Sequence, residues 1–85
     1  MSEFTLTDLQ RILESSSGAA DGADWASPEI LHLTFDQVGY DSLALLEMAA
    51  VIDQEYGARI PDDAIPDLKT PQLVLDYVND LMATA

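Results

Sequence analysis

Apolar residues recur at helical spacing in three stretches of this chain. Leu6, Leu9, Ile12 and Leu13 fall three or four apart with Asp8, Gln10, Arg11 and Glu14 between them. That pattern predicts a first helix capped by Thr5 or Thr7 and ended by Ser15-Ser16-Ser17-Gly18. From Ser42 to about Tyr56 no glycine or proline interrupts the chain, Asp41 is a preferred N-cap type, and Gly57 suits the position just past a helix end. Thr70 followed by Pro71 reads as an N-cap with proline at the first helical position. Val74, Tyr77, Val78 and Leu81 then mark a last helix ending near Met82.

The connections are less regular. Residues 18–40 contain Gly22 and Pro28, yet Ile30, Leu31, Leu33, Phe35 and Val38 are too apolar for a free linker and should pin its second half to the bundle. Leu33 and Phe35 alternate, but a lone strand has no partner here, so an extended segment or single turn is expected. The connection is long enough to join two parallel helices. Ile60-Pro61-Asp62-Asp63-Ala64-Ile65-Pro66 permits only a short helical turn, which Pro66 should stop, with Ile60 and Ile65 closing the side of the bundle. The predicted fold is all-α: one domain over residues 1–85, a small bundle of three main helices plus one short helix, with a long loop between the first and second.

On a wheel at roughly 100° per residue, Leu45, Met48, Ala49, Ile52 and Tyr56 occupy one charge-free arc of the Ser42 helix, the predicted core face. Ser42, Leu43, Leu46, Glu47, Ala50, Asp53 and Gln54 fall opposite. Leu43 and Leu46 are therefore apolar residues left outside, rimmed by Glu47 and Asp53. Acids orient an encounter and a small apolar area holds it briefly, so Leu46, Glu47, Ala50 and Asp53 form a candidate docking face.

Charge sharpens this picture. Sixteen acidic residues against Arg11, Arg59 and Lys69 leave a net charge of -13 on 85 residues, which repels nucleic acid and anionic lipid and favours basic partners. A chain this short has no room for a self-contained enzyme cleft. With 48% hydrophobic residues it should still fold. The start, Met1-Ser2-Glu3-Phe4-Thr5, has no signal-peptide pattern and no stretch approaches a membrane span, so a cytoplasmic monomer is expected.

The candidate chemistry lies at Ser42. A first-turn serine sits where free backbone N–H groups and the positive end of the helix dipole best tolerate a phosphate. It lacks the partners of a catalytic serine, because His32 lies in a loop with no sign of an orienting third group. Ser42 is thus read as a substrate for modification. His32, without a second nitrogen or thiolate ligand, is read as a loop residue, and Trp25 as a half-covered loop aromatic. Asp21-Gly22-Ala23-Asp24 lacks the alternating acids and closing glutamate of a calcium loop, so no metal site is expected. Arg59 balances nearby acids at most weakly, while Gln72, Tyr77 and Asn79 are weak candidates for lining a pocket that meets a bound chain's oxygens. Cysteine is absent, so any thiol the protein uses must be attached.

At Gly39-Tyr40-Asp41-Ser42-Leu43 the sequence resembles the acyl carrier proteins, whose attachment motif is Asp-Ser-Leu after a Gly-x. Ile60-Pro61-Asp62-Asp63 and Thr70-Pro71 follow the family's order and spacing from about Phe35 onward, whereas residues 1–34 match only in length and in having one helix and a loop. Tyr40, Ala44 and Leu45-Leu46-Glu47 are most similar to the discrete carriers of type II aromatic polyketide synthases. The resemblance implies 4'-phosphopantetheine attached at Ser42 within the motif residues Asp41 and Leu43. It also implies installation by a phosphopantetheinyl transferase using coenzyme A and magnesium, and acyl groups carried as thioesters on the arm's thiol. The implied partners are the ketosynthase with its chain-length factor, malonyl-acyl transferase, ketoreductase and cyclases. The alternatives are a carrier of fatty-acid or peptidyl intermediates, or an acidic helical interaction module in which Ser42 merely follows the cap.

Overall fold

The computed structural model describes residues 3–18 and 24–84. Its elements are α1 (Leu6–Ser17), a 3₁₀ turn (Pro28–His32), the single-turn α2 (Phe35–Val38), α3 (Ser42–Tyr56), a second 3₁₀ turn (Asp62–Asp67) and α4 (Pro71–Thr84). Among the described residues there is no strand, in keeping with the all-α expectation.

Local chemistry sets the helix ends. Thr5, not Thr7, caps α1, because Asp8 three residues on completes a capping box: the Thr5 side chain accepts from the Asp8 N–H, and Asp8 Oδ2 accepts from the Thr5 N–H at 3.0 Å. Gly57 ends α3 at φ 67°, a left-handed conformation that costs glycine little, and its N–H reaches the Asp53 carbonyl. Thr70 Oγ1 accepts from the Leu73 N–H at 3.3 Å, leaving Pro71 at the first position of α4, where a missing N–H costs nothing. Pro66 does not stop the second 3₁₀ turn. Bonds from the Ala64 N–H to Pro61 O and from the Leu68 N–H to Ile65 O lie on either side of it, so the chain keeps turning past the missing donor.

Three contacts establish that α1 and α3 run antiparallel. The Phe4 and Tyr56 rings meet edge to face with centroids 5.1 Å apart, Arg11 pairs with Glu55 at 3.0 Å, and Ser17 Oγ donates to Glu47 Oε2 at 3.2 Å. The long connection therefore does not join parallel helices. The parallel pair is α3 and α4. The Phe35 N–H bonds to Lys69 O just before α4 begins, while farther along α4 Asn79 meets Phe4, at the Tyr56 end of α3. Residues 57–70 have to return along the bundle before α4 can start.

The core takes Leu9, Ile12 and Leu13 from α1, Met48 and Ile52 from α3, and Val74 and Val78 from α4, with Phe4 and Ile30 added from outside the long helices. Each such side chain contributes about 1.5–3 kcal/mol on burial. Leu45 and Ala49 are buried and Tyr56 half-buried, as the wheel predicts; Ala44 joins them, one turn before Met48. Ile60 and Ile65 are buried as well. The apolar half of the long connection forms its own short elements, with Phe35 and Val38 buried on the inner side of α2.

Candidate functional site: the Ser42 turn

Two short-range devices hold Ser42 outward. Thr34 and Gln37 make a capping box that closes the single turn of α2, with the Gln37 N–H on Thr34 Oγ1 at 3.2 Å and the Thr34 N–H on Gln37 Oε1 at 2.9 Å. Gly39 then reverses the chain at φ 107°, its N–H shared between the Phe35 and Asp36 carbonyls, and the Tyr40 N–H also returns to Phe35 O at 2.8 Å. Only glycine adopts that φ at little cost. Asp41 follows in extended backbone and caps α3 by accepting from the Ala44 N–H at 3.0 Å.

Ser42 is the first residue of α3 and is exposed. Helix geometry leaves its N–H and that of Leu43 without an intrahelical acceptor, beside the positive end of the dipole. Tyr40, immediately before the cap, is buried, and its hydroxyl donates to Gly18 O at 2.9 Å. The phenol thus ties the turn to the end of α1, and Asp41 and Ser42 follow it on the exposed side. A phosphodiester suits this position: Ser42 is exposed and first-turn donors are at hand.

Two concavities flank the serine. A cleft of about 460 Å³ is lined by Phe35, Leu45, Leu68, Ser42 and Lys69 among others, and a pocket of about 350 Å³ by Ser17, Gly18, Leu43 and Glu47. Tyr40 and Asp41 border both. Neither the cleft nor the position of Lys69 is evident from the sequence, because the cleft wall is supplied by the second 3₁₀ turn, remote from Ser42 along the chain.

The proposed docking residues share one exposed face of α3. Leu43 is 61% and Leu46 44% exposed, and Glu47, Ala50 and Asp53 are exposed. Glu47 is not wholly free, since it accepts the Ser17 hydroxyl. The remaining candidates lie elsewhere. His32 is exposed at the end of the first 3₁₀ turn, and Trp25 is half-buried with its indole N–H enclosed and unbonded. Asp24 accepts from the Ala26 N–H at 3.2 Å, while Asp21 lies outside the described residues. Among the described residues no group of three His, Asp or Glu side chains is arranged to hold a metal.

Asn79 is engaged by the segment before α1: its Oδ1 accepts from the Phe4 N–H at 2.8 Å and its Nδ2 donates to Phe4 O at 2.9 Å. Gln72 bonds Asp76 one turn on. Among the described residues the ion pair is Arg11 with Glu55, and Arg59 forms none.

The family model for the phosphopantetheine attachment site matches residues 22–78. The monensin polyketide synthase acyl carrier protein of Streptomyces virginiae is 45% identical, covering 96% of this chain and 91% of that protein. Among solved structures, the octanoyl acyl carrier protein of the actinorhodin polyketide synthase from Streptomyces coelicolor superposes with a TM-score of 0.86 at 43% identity, over 99% of this chain and 96% of that one. The holo form of the actinorhodin carrier superposes at 0.82 with 44% identity and the same coverage. No helix among the described residues is long and apolar enough to cross a membrane. The Ser42 turn is therefore set in a chain that belongs to the phosphopantetheine-attachment family, among the acyl carrier proteins of polyketide synthases.

Proposed function

We propose that Ser42 is the attachment residue and that this protein is a non-catalytic carrier of growing polyketide chains and extender units. The observation that carries the assignment is the exposed Ser42 hydroxyl at the head of α3, inside the Asp41-Ser42-Leu43 motif and held clear of the core by the Gly39 reversal and the buried Tyr40. A phosphopantetheinyl transferase with coenzyme A and magnesium joins Ser42 Oγ to the phosphorus of the arm as the bond to the nucleotide half of coenzyme A breaks. When bound, the arm supplies a thiol that holds acyl groups as thioesters, chemistry that a chain without cysteine cannot provide itself. Ser42 is the anchor, Asp41 keeps the first turn of α3 closed, and Leu43 completes the attachment motif.

Leu46, Glu47, Ala50 and Asp53 form the docking face for the synthase enzymes: ketosynthase with chain-length factor, malonyl-acyl transferase, ketoreductase and cyclases. This reading is supported by their shared exposure on α3 and by a net charge of -13, which steers basic partners. Residues 1–85 act as one carrier domain, read as a cytoplasmic monomer with neither nucleic acid nor membrane among its partners.

The test is intact mass after incubation with coenzyme A and a promiscuous phosphopantetheinyl transferase. Wild type should gain one phosphopantetheine and one titratable thiol. Ser42→Ala should gain neither while unfolding within about 0.5 kcal/mol of wild type, as is usual for an exposed position. A Ser42→Ala protein that gained the mass would refute the assignment. Wild type that gained nothing would favour an acidic interaction module.

A further inference from the structure

The cleft at Ser42 is lined by a cationic residue that the attachment chemistry has not used. Of the three cationic side chains, Arg11 is engaged by Glu55, and Lys69, the one lysine, lines the same cleft as Ser42. Among the described residues no carboxylate is within ion-pair distance of Lys69. Its backbone is held, because Lys69 O accepts from the Phe35 N–H at 2.9 Å and Thr70, the next residue, caps α4. The ammonium is thus a charge on a flexible stem with a fixed origin, on the wall opened by the second 3₁₀ turn.

The electrostatics of the two concavities differ. The pocket beside Gly18 is bordered by Asp41 and Glu47 and, among the described residues, by no cation. The cleft is bordered by Asp36 and Asp41 but also by Lys69, over a surface of Phe35, Leu45, Ile65 and Leu68. An anion joined to Ser42 meets acids in both directions, and among the described residues the cleft alone offers an opposite charge to offset them.

We propose that Lys69 is a positioning residue for the phosphopantetheine arm: its ammonium holds the phosphodiester at Ser42 and so turns the arm into the cleft, away from the Gly18 pocket. The inference rests on Ser42 being the attachment residue. An ammonium donating to a phosphate oxygen makes a charge-assisted bond, stronger than a neutral one.

The experiment uses the full chain with ¹³C,¹⁵N-lysine, which yields one labelled side chain, converted to the holo form and verified by intact mass. The Lys69 Cε and Nζ signals should shift between apo and holo protein. The ³¹P signal of the phosphodiester should move in Lys69→Met and stay at the wild-type position in Lys69→Arg. Fully loaded wild type whose lysine signals match the apo form would overturn this inference and leave Ser42 standing, as would a ³¹P signal unmoved in a folded Lys69→Met protein. A chain that gains no mass would overturn both. The wild-type lysine shift decides the question even where Lys69→Met does not fold.

Discussion

The Tyr40 hydroxyl donates a 2.9 Å hydrogen bond to the carbonyl of Gly18, spanning 22 residues and joining the turn before Ser42 to the end of α1. Tyr40→Phe keeps the buried ring and removes the hydroxyl. Because Gly18 is exposed, its carbonyl regains water, so the loss should sit at the lower end of about 0.5–1.5 kcal/mol, read from urea unfolding. Loading of Ser42 should proceed at the wild-type rate, since the turn bonds among Phe35, Gly39 and Tyr40 are backbone bonds. An unchanged midpoint would show that the phenol oxygen does not contribute to holding the turn.

Asn79 and Phe4 form a two-way clamp between the segment before α1 and the far half of α4. Asn79→Ala leaves a half-buried N–H and C=O without their partner and should cost about 1–3 kcal/mol in denaturant unfolding. Gln72→Ala removes only an i,i+4 contact and should cost no more than about 0.5 kcal/mol. Equal effects at the two positions would remove the distinction between clamp and surface.

Steering by Asp53 and Glu47 should depend on salt. Asp53→Arg and Glu47→Arg should slow acyl transfer with partner enzymes more at low ionic strength, because the Debye length is only about 10 Å at 0.1 M salt. Asp53 is the cleaner probe, since Glu47 also receives the Ser17 hydroxyl. Leu46→Ala should weaken the complex at every salt concentration, the contact being apolar. A loss for Asp53→Arg that is independent of salt would argue against a docking role for its charge.

Asp8 links α1 to acid stability. Its carboxyl lies below the ordinary carboxylate range, chiefly because it accepts the Thr5 backbone N–H, with the Thr5 and Tyr56 hydroxyls and Arg11 adding to this and partial burial opposing it. A carboxyl depressed in the folded state stabilises the fold fully above its unfolded value of about 3.9, and that contribution is lost as pH falls through the folded value. The stability difference between wild type and Asp8→Asn should therefore shrink toward zero below about pH 4, followed by urea unfolding across pH. A difference that is constant with pH would remove ionisation of Asp8 from the capping box's contribution.

What the sequence determined by itself lies within a turn or two of chain. The Asp41 cap, the uninterrupted run to Gly57, the Thr70-Pro71 start and the charge-free arc of α3 are patterns whose partners are three or four residues apart, and the structure bears each of them out. The turn at Ser42 was legible for the same reason: its cap and its place on the helix are both local. The antiparallel course of α1, the clamp of Asn79 on Phe4 across 75 residues, the bond from Ser17 to Glu47 and the cleft that brings Lys69 to Ser42 belong to the tertiary structure. In each of these a polar side chain has several possible uses along its own segment, and the packing of distant apolar faces selects one. Asn79 has the composition of a surface residue and becomes a clamp only because Phe4, once buried, brings a backbone N–H and C=O that need partners.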